Sequence, residues 1–306
     1  MKKNTQDHNQ QLIRNATVAS VSVACFLIII KLVAFLLTNS IALLATLIDS
    51  LLDAAASIIN LIAVRHSLTP ADHEHRFGHG KAEALAGLGQ AAFISGSAFF
   101  LIFEAGGRLL NPQAVTHSSV GIIVMIISII CTIGLVKYQR HVVKKTGSVA
   151  ITADSLHYLS DILVNLFVIF ALVLNAQFGW VKADPIFGLG VSLFVLYSAW
   201  QIVQQSVHHL MDRELADEDR EKIISIVAAH PEVINMHDLR TRRAGQDVFI
   251  QLHLELDGSL LLKEAHRISE EVEGQINEAF PNAEILIHED PDDIVEERKE
   301  TPSLIE

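Results

Sequence analysis

The stretch that decides the fold is IALLATLIDSLLDAAASIINLI, residues Ile41–Ile62. It is apolar over a length that can cross a bilayer, for which a helix needs about 20 residues. It also carries two carboxylates, Asp49 and Asp53, although an ionised group at the membrane centre costs about 2.5–3.5 kcal/mol on insertion scales. Because residues i and i+4 lie on one face of a helix, both carboxylates can point at one cation inside a helix bundle.

Six apolar runs of this length occur in the first two thirds of the chain, and we expect each to form a transmembrane helix. They are Ala16–Leu37, Ile41–Ala63, Ala82–Leu109, Val120–Gln139, Val149–Leu174 and Pro185–Leu210. The connection after the fourth run is basic, with Arg140, Lys144 and Lys145, whereas the connections at 111–119 and 175–184 contain only Lys182 as a basic residue. By the positive-inside rule, the basic connections and both termini face the cytoplasm.

After Asp212 the composition changes to dense charge and short alternating patterns. Residues 217–233 predict a helix that stops near Pro231, and two strands follow around Ala244-Gly245. A second helix then precedes a third strand, AEILIHED, at 283–290. The sequence therefore predicts a membrane all-α bundle of six transmembrane helices plus a C-terminal cytoplasmic α+β domain, α-β-β-α-β, of the ferredoxin-like or metallochaperone-like kind.

Four regions follow from this division of the chain. We expect a cytoplasmic N-terminal segment at 1–15, a transmembrane domain at 16–212 and a cytoplasmic metal-binding and dimerisation domain at 213–290. The charged tail at 291–306 is predicted to be disordered.

Composition excludes several classes of protein. The chain has 35 acidic and 23 basic residues, and its net charge of −12 argues against nucleic-acid binding. Fifteen histidines are an excess, whereas two cysteines indicate neither a disulfide framework nor a thiolate metal site. The sequence has neither HExxH nor GxSxG, so it predicts no hydrolytic enzyme.

The fifth apolar run contains ADSLHYLSD, which places His157 and Asp161 at i and i+4, with Asp154 and Asn165 on the same face. Together with the carboxylates of the second run, this gives three carboxylates and one imidazole, a tetrahedral set suited to zinc and similar ions. Calcium or magnesium would be expected to use more oxygens and no imidazole. Inter-helix salt bridges are the alternative, but neither the second nor the fifth run contains a basic residue to pair these acids.

Two further groups of potential ligands lie outside the apolar runs. The connection after the second run contains Asp72, His73, Glu74, His75 and His79. These residues form either a second metal site or a solvated polar turn. The cytoplasmic domain contains His237, His253, His266, His288 and Asp290. Five ligands exceed one tetrahedral site, so we expect a binuclear site bridged by Asp290, with ordinary surface or core histidines as the alternative.

These spaced motifs, from about Arg14 to Asp290, resemble the cation diffusion facilitators, most closely their bacterial zinc and ferrous-iron efflux branch. The resemblance implies a homodimer in the bacterial inner membrane that exports zinc, and also cadmium or ferrous iron, in exchange for protons. It implies a transport site at Asp49, Asp53, His157 and Asp161, a loop site at Asp72, His75 and His79, and a cytoplasmic binuclear site at His237, His253, His266, His288 and Asp290. It also implies a charge pair between Lys81 and Asp212 near the dimer interface. This chain departs from the pattern at His73, where relatives often carry another acid, and at Glu289, where they often carry glutamine.

The ligand chemistry predicts how such a site works. Metal binding requires deprotonated ligands, so metal and protons compete for the same atoms, and we expect proton-coupled export. We expect the cytoplasmic site to act as a regulatory sensor, with storage or a structural role as the alternative. A metal-gated channel or a membrane metal sensor is the competing functional class, although a channel favours weak multi-ion sites along a pore. The expected partners are a second copy of the chain, membrane lipid and divalent metal ions.

Overall fold

The computed structural model describes residues 2–38, 41–110, 119–178, 180, 182–281 and 283–293. The chain divides into two compact units, a helical unit that begins at Lys3 and ends at Val207, and a unit that begins at His208. The predicted turn at Asn39-Ser40, most of the predicted connection at 111–119, and the tail from residue 294 lie outside the described residues.

Within the described ranges, the helical unit contains six long helices. They are α1 (Lys2–Thr38), α2 (Ile41–Ser67), α3 (Ala82–Leu110), α4 (Ser119–Thr146), α5 (Val149–Phe178) and α6 (Ala183–Leu210). In the described residues, five of them are long and apolar enough to cross a membrane, at His8–Leu37, Thr46–Ser67, Ala82–Leu110, Ile122–Thr146 and Pro185–Leu210. Helix α5 is also apolar along its 30 residues. The predicted all-α membrane domain is confirmed, and α1 additionally continues back to Lys2.

Small residues let the membrane helices approach one another closely. The buried positions between α3, α5 and α6 include Ala91, Ala98, Ala153 and Ala199. Helix α5 contacts α2, α3 and α4, so it lies at the centre of the helical unit. This central position brings the polar residues of α5 next to those of α2.

Gly87 on α3 lies where α5 and α6 approach α3 closely. A Cβ atom there would lie 2.7 Å from the Ser206 hydroxyl oxygen and 3.0 Å from Cγ1 of Val149, whose χ1 is stiff. We expect Gly87→Ala to destabilise the protein by about 1–3 kcal/mol, the usual cost of overpacking. A lower melting temperature in detergent would show this. Gly89→Ala is the matched control, because its Cβ meets open space; equal melting temperatures for both variants would contradict the packing described.

The cytoplasmic unit has the predicted order of elements. It consists of α7 (Asp217–Ala228), β1 (Asn235–Ala244), β2 (Asp247–Leu256), α8 (Leu262–Ala279) and β3 (Ala283–Pro291). The sheet order is β1-β2-β3, with β1 antiparallel and β3 parallel to β2. The turn between β1 and β2 uses Gly245 at φ 63°, a left-handed conformation that glycine adopts without steric cost. The predicted α-β-β-α-β domain is confirmed.

The two faces of β2 have different roles, because successive side chains of a strand point to opposite faces. One face supplies the core with Val248, Ile250, Leu252, Leu254 and Leu256, packed against buried residues of α7 and α8. The other face carries His253 and Glu255. The register pairs His253 with His237 on β1 and with His288 on β3, so three histidines meet across the sheet.

Candidate metal sites

An acidic cluster with one imidazole forms between α2 and α5. Ligand atoms of Asp53, His157 and Asp161 all lie within 4.8 Å of one another. Nε2 of His157 is 3.1 Å from Oδ1 of Asp53 and 4.0 Å from Oδ2 of Asp161. The cluster does not include Asp49, which lies one helical turn before Asp53 and is exposed. The structure thus brings together three of the four residues predicted for the transport site.

The imidazole of His157 is held by its neighbours. Its side chain is 6% exposed, and the ring of Phe93 contacts it edge-on with centroids 5.9 Å apart. The adjacent Tyr158 is anchored by a 2.8 Å hydrogen bond between its hydroxyl and that of Ser57 on α2. Packing against the rings of Phe93 and Tyr158 restricts the orientations open to the His157 side chain.

Asp154 belongs to a different polar group. Its Oδ2 accepts hydrogen bonds from the Ser20 hydroxyl at 2.6 Å and from Nε2 of Gln139 at 2.7 Å. These bonds tie α5 to α1 and α4 in a fully buried environment. Although the sequence places Asp154 on the face of His157, the carboxylate therefore serves the packing of three helices.

The cytoplasmic cluster is centred on Asp290. Oδ2 of Asp290 lies 2.8 Å from Nδ1 of His253 and 3.3 Å from Nε2 of His237, and Oδ1 lies 3.2 Å from Nε2 of His288. One carboxylate therefore contacts three imidazoles through both of its oxygens. Three nitrogens with a shared carboxylate are donors that suit zinc. His266 is not brought to this cluster; it is exposed on α8 and lies 3.5 Å from Glu270 of the same helix.

The loop after α2 gathers Asp72, His75 and His79. Oδ2 of Asp72 is 3.4 Å from Nε2 of His79, and Oδ1 is 3.5 Å from Nδ1 of His75. Backbone N–H groups of His75 and Glu74 donate to Asp72 at 2.6 and 2.9 Å, which lowers the pKa of this carboxyl and keeps it ionised. His79 is buried, whereas His73 is exposed and outside the cluster. All three residues predicted for the loop site therefore lie together.

Two family profiles match the chain. The profile of the cation efflux transmembrane domain matches residues 17–211, and that of the cation efflux cytoplasmic domain matches residues 215–292. The chain belongs to the cation efflux family. It is therefore a transporter and not an enzyme, a multi-pass membrane protein with a cytoplasmic C-terminal domain.

Curated relatives of this cation efflux protein span nearly its full length. The chain is 47% identical over 285 residues to the cation-efflux pump FieF of Escherichia coli O127:H6, covering 93% of this chain and 95% of that protein. The same values hold for the cation-efflux pump FieF of Citrobacter koseri. Among solved structures, CzrB in its Zn form matches 29% of this chain and 99% of that chain, at 35% identity and a TM-score of 0.26.

The Asp53–His157–Asp161 cluster of this cation efflux protein has a charged neighbour that was not predicted from the sequence. Lys31 of α1 donates to the Ser50 hydroxyl at 2.6 Å and to the Thr46 carbonyl at 3.1 Å, on the same helix as Asp53. The second and fifth runs contain no basic residue to pair with these acids, whereas the first run contains Lys31. Lys31 in the first run was nonetheless visible as a charge inside an apolar segment.

Other neighbours of the sites were also missed. Oε1 of Glu255 lies 3.2 Å from Nδ1 of His237, and Oδ2 of Asp238 lies 4.0 Å from Nε2 of His253. The alternation of β2 could have identified Glu255, which shares a face with His253 two residues earlier. In the loop site, the ring of His66 at the end of α2 contacts that of His79, with centroids 4.6 Å apart.

A fourth group, His230, Glu232 and Glu271, has metal-like spacing but a different role. Arg267 donates to both oxygens of Glu232 at 2.9 Å and to Glu271 at 2.7 Å, and these bonds raise its pKa. The buried His230 contacts the same Glu271 at 3.3 Å. Because Arg267 already pairs with both carboxylates, we interpret this group as a salt-bridge network that ties α8 to the segment after α7.

The predicted charge pair between Lys81 and Asp212 stays a prediction, because the two residues belong to different units. Asp212 has a partner within its own unit, since Nη1 of Arg242 lies 3.4 Å from its Oδ1.

Proposed function

We propose that this protein exports divalent transition-metal ions from the cytoplasm across the bacterial inner membrane, in exchange for protons. Zinc is the principal substrate, and cadmium and ferrous iron fit the same oxygen-rich site with one histidine. The observation that carries the proposal is the Asp53–His157–Asp161 cluster between membrane helices of a cation efflux transporter. Asp49, one turn from Asp53, is the fourth ligand. Both termini face the cytoplasm.

The contacts of His157 support the exchange of metal for protons. Nε2 of His157 and Oδ1 of Asp53 are 3.1 Å apart, a hydrogen bond that requires a proton on one of the two atoms. A metal ion bound to both atoms occupies the position of that proton and displaces it. Loading with metal therefore releases a proton, and the return of a proton favours release of the metal.

A flux measurement tests this coupling. Purified protein in proteoliposomes should transport zinc faster when a pH gradient drives protons in the opposite direction, and collapsing the gradient should slow the flux several-fold. The same vesicles with an imposed electrical potential but no pH gradient provide the control. If the rate of zinc flux does not change with the pH gradient, zinc is not exchanged for protons. That result would not test the metal site itself, which is tested by mutation of its residues.

The cytoplasmic cluster acts in this proposal as a regulatory metal site within a homodimer. Asp290 would bridge the two zinc ions, and His237, His253 and His288 would supply nitrogens, with Glu255 beside His237. His266, which lies apart from this cluster on α8, stays a predicted ligand. The contacts of both Asp290 oxygens with three imidazoles support a bridging carboxylate. Metal held there stabilises one arrangement of the dimer and changes the activity of the membrane domain. The loop site at Asp72, His75 and His79 binds a further metal ion.

A metal-gated channel or a membrane metal sensor would use the same ligands. The compact cluster around His157, with ligand atoms within 4.8 Å of one another, favours a transporter, because a channel needs weak sites that ions leave quickly. A flux that saturates at low zinc concentration and turns over slowly is expected of an exporter. Linear, rapid flux down the zinc gradient would identify a channel instead.

A further inference from the structure

Lys31 is a charged side chain in an apolar helix, and its position needs a physical reason. It lies in the last third of the span His8–Leu37 and is half-buried. Placing a lysine at the centre of a membrane helix costs about 2.5–3.5 kcal/mol on insertion scales. Two neutral oxygen acceptors, the Ser50 hydroxyl and the Thr46 carbonyl, compensate only part of the lost hydration of an ammonium.

The remaining compensation comes from the acidic site. Ser50, which accepts from Lys31, directly follows Asp49 and precedes Asp53 by one turn of α2. Lys31 lies close enough to Asp53, Asp161 and Asp49 to interact with them electrostatically, most strongly with Asp53. The Lys31 amino group is thus a cationic group near three carboxylates, held on α2 by its bonds to Ser50 and Thr46, in a region of low dielectric where charge–charge interactions are strong.

We propose that Lys31 is a built-in counter-cation of the transport site, which balances the carboxylates when the metal is absent and promotes metal release. This inference rests on the proposed function of Asp53, His157 and Asp161 as metal ligands. When a divalent cation binds, it shares the carboxylates with the ammonium and is repelled by it. The site then binds metal more weakly than its ligands alone would, and the empty site keeps less uncompensated negative charge.

The position of Lys31 along the membrane determines from which side it repels a metal ion bound to the ligands. Its acceptors, Thr46 and Ser50, lie nearer than Asp53 to the first residue of α2, and Lys31 itself lies near the end of α1 that is opposite the N-terminus. With the N-terminus in the cytoplasm, Lys31 is level with Asp49 and on the exit side of Asp53. The hydrogen bonds to α2 hold the amino group in this position.

Three substitutions separate the charge of Lys31 from its hydrogen bonds. Lys31→Gln keeps a donor but removes the charge, Lys31→Met removes both, and Lys31→Arg keeps both. We expect Gln and Met alike to lower the zinc concentration at half-maximal flux by about tenfold, since a nearby unit charge has an effect of this size on a divalent ion in a protein interior. The maximal rate should fall as well, because release becomes slower. Lys31→Arg should stay within about twofold of the wild type, since it restores the charge.

Zinc flux into proteoliposomes at a fixed pH gradient, over a range of zinc concentrations, measures both quantities. Size-exclusion profiles and melting temperatures identify variants that fail to fold. If Lys31→Gln has wild-type zinc flux and only Lys31→Met is impaired, the effect of Lys31 comes from its hydrogen bonds. That result would rule out a role as counter-cation. A raised half-maximal concentration in Gln would also overturn it. Activity retained in Asp53→Ala would refute the transport site itself, whereas an inactive Asp53→Ala with unchanged Lys31→Gln kinetics refutes this inference alone.

Discussion

Replacing Asp53 with alanine is expected to abolish metal export. Asp53 connects the ligands of α2 to those of α5, because its Oδ1 lies 3.1 Å from Nε2 of His157. Its removal takes away one of the four proposed ligands and also the contact between Asp53 and the imidazole of His157. Loss of an outer-shell partner alone costs about 10- to 100-fold in metal affinity or activity, so a lost ligand should reduce zinc flux by at least about a hundredfold.

Zinc flux at a fixed pH gradient measures this loss, with Glu104→Gln as the control. Glu104 is another carboxylate of the helical unit, on α3, and it forms an ion pair with Arg108 of the same helix at 2.9 Å. We expect this control to retain wild-type flux. Full activity in Asp53→Ala would refute the assignment of the transport site. The same assay on Asp49→Ala tests whether the exposed Asp49 carboxylate binds the transported metal. We expect a loss of zinc flux comparable to that of Asp53→Ala, because Asp49 is the proposed fourth ligand.

Replacing Asp290 with alanine should disable the cytoplasmic site while leaving the transport site intact. Its two oxygens contact His237, His253 and His288, so one substitution removes the group that joins all three imidazoles. We expect the purified full-length protein to bind fewer zinc ions per chain. The zinc concentration at half-maximal flux should shift by at least about fivefold. In typical allosteric coupling, a ligand at one site changes the affinity of the other site by about 5- to 150-fold.

Asp257→Ala is a suitable control for this experiment. Asp257 belongs to the same unit and follows β2, and its carboxylate is exposed and accepts the backbone N–H of Ser259 at 2.8 Å. Zinc stoichiometry should be unchanged in this variant. If Asp290→Ala only lowers the melting temperature and leaves the half-maximal concentration unchanged, the cytoplasmic cluster is structural and regulation is excluded.

Much of the fold could be predicted because it follows from local patterns. The six helices are long apolar runs, and the alternation of Val248, Ile250 and Leu252 identifies β2 and its buried face. The spacing of His157 and Asp161 on α5 placed both on one side of a helix, and the structure has them in one cluster. Local spacing thus sufficed for His157 and Asp161, which belong to one helix.

The spacing of residues in the sequence did not predict the direction of individual side chains or the contacts between distant elements. A shared helix face includes Asp154 with His157, yet the Asp154 carboxylate turns to Ser20 and Gln139 on two other helices. Likewise, the face shared by Asp49 and Asp53 does not fix the rotamer of Asp49. Lys31 meets α2 across a helix pair, a contact that no periodicity encodes. His266 lies on α8, and the structure does not bring it to the sheet ligands.

The alternation of β2 has a consequence for how this protein can diverge. His253 and Glu255 occupy one face, while Leu252, Leu254 and Leu256 fill the core from the other. Substitutions on the ligand face therefore need not disturb the packing that lets the domain fold. The proposed metal site can therefore change its ligands, or be lost, through one or two substitutions on this face without passing through an unstable ancestor.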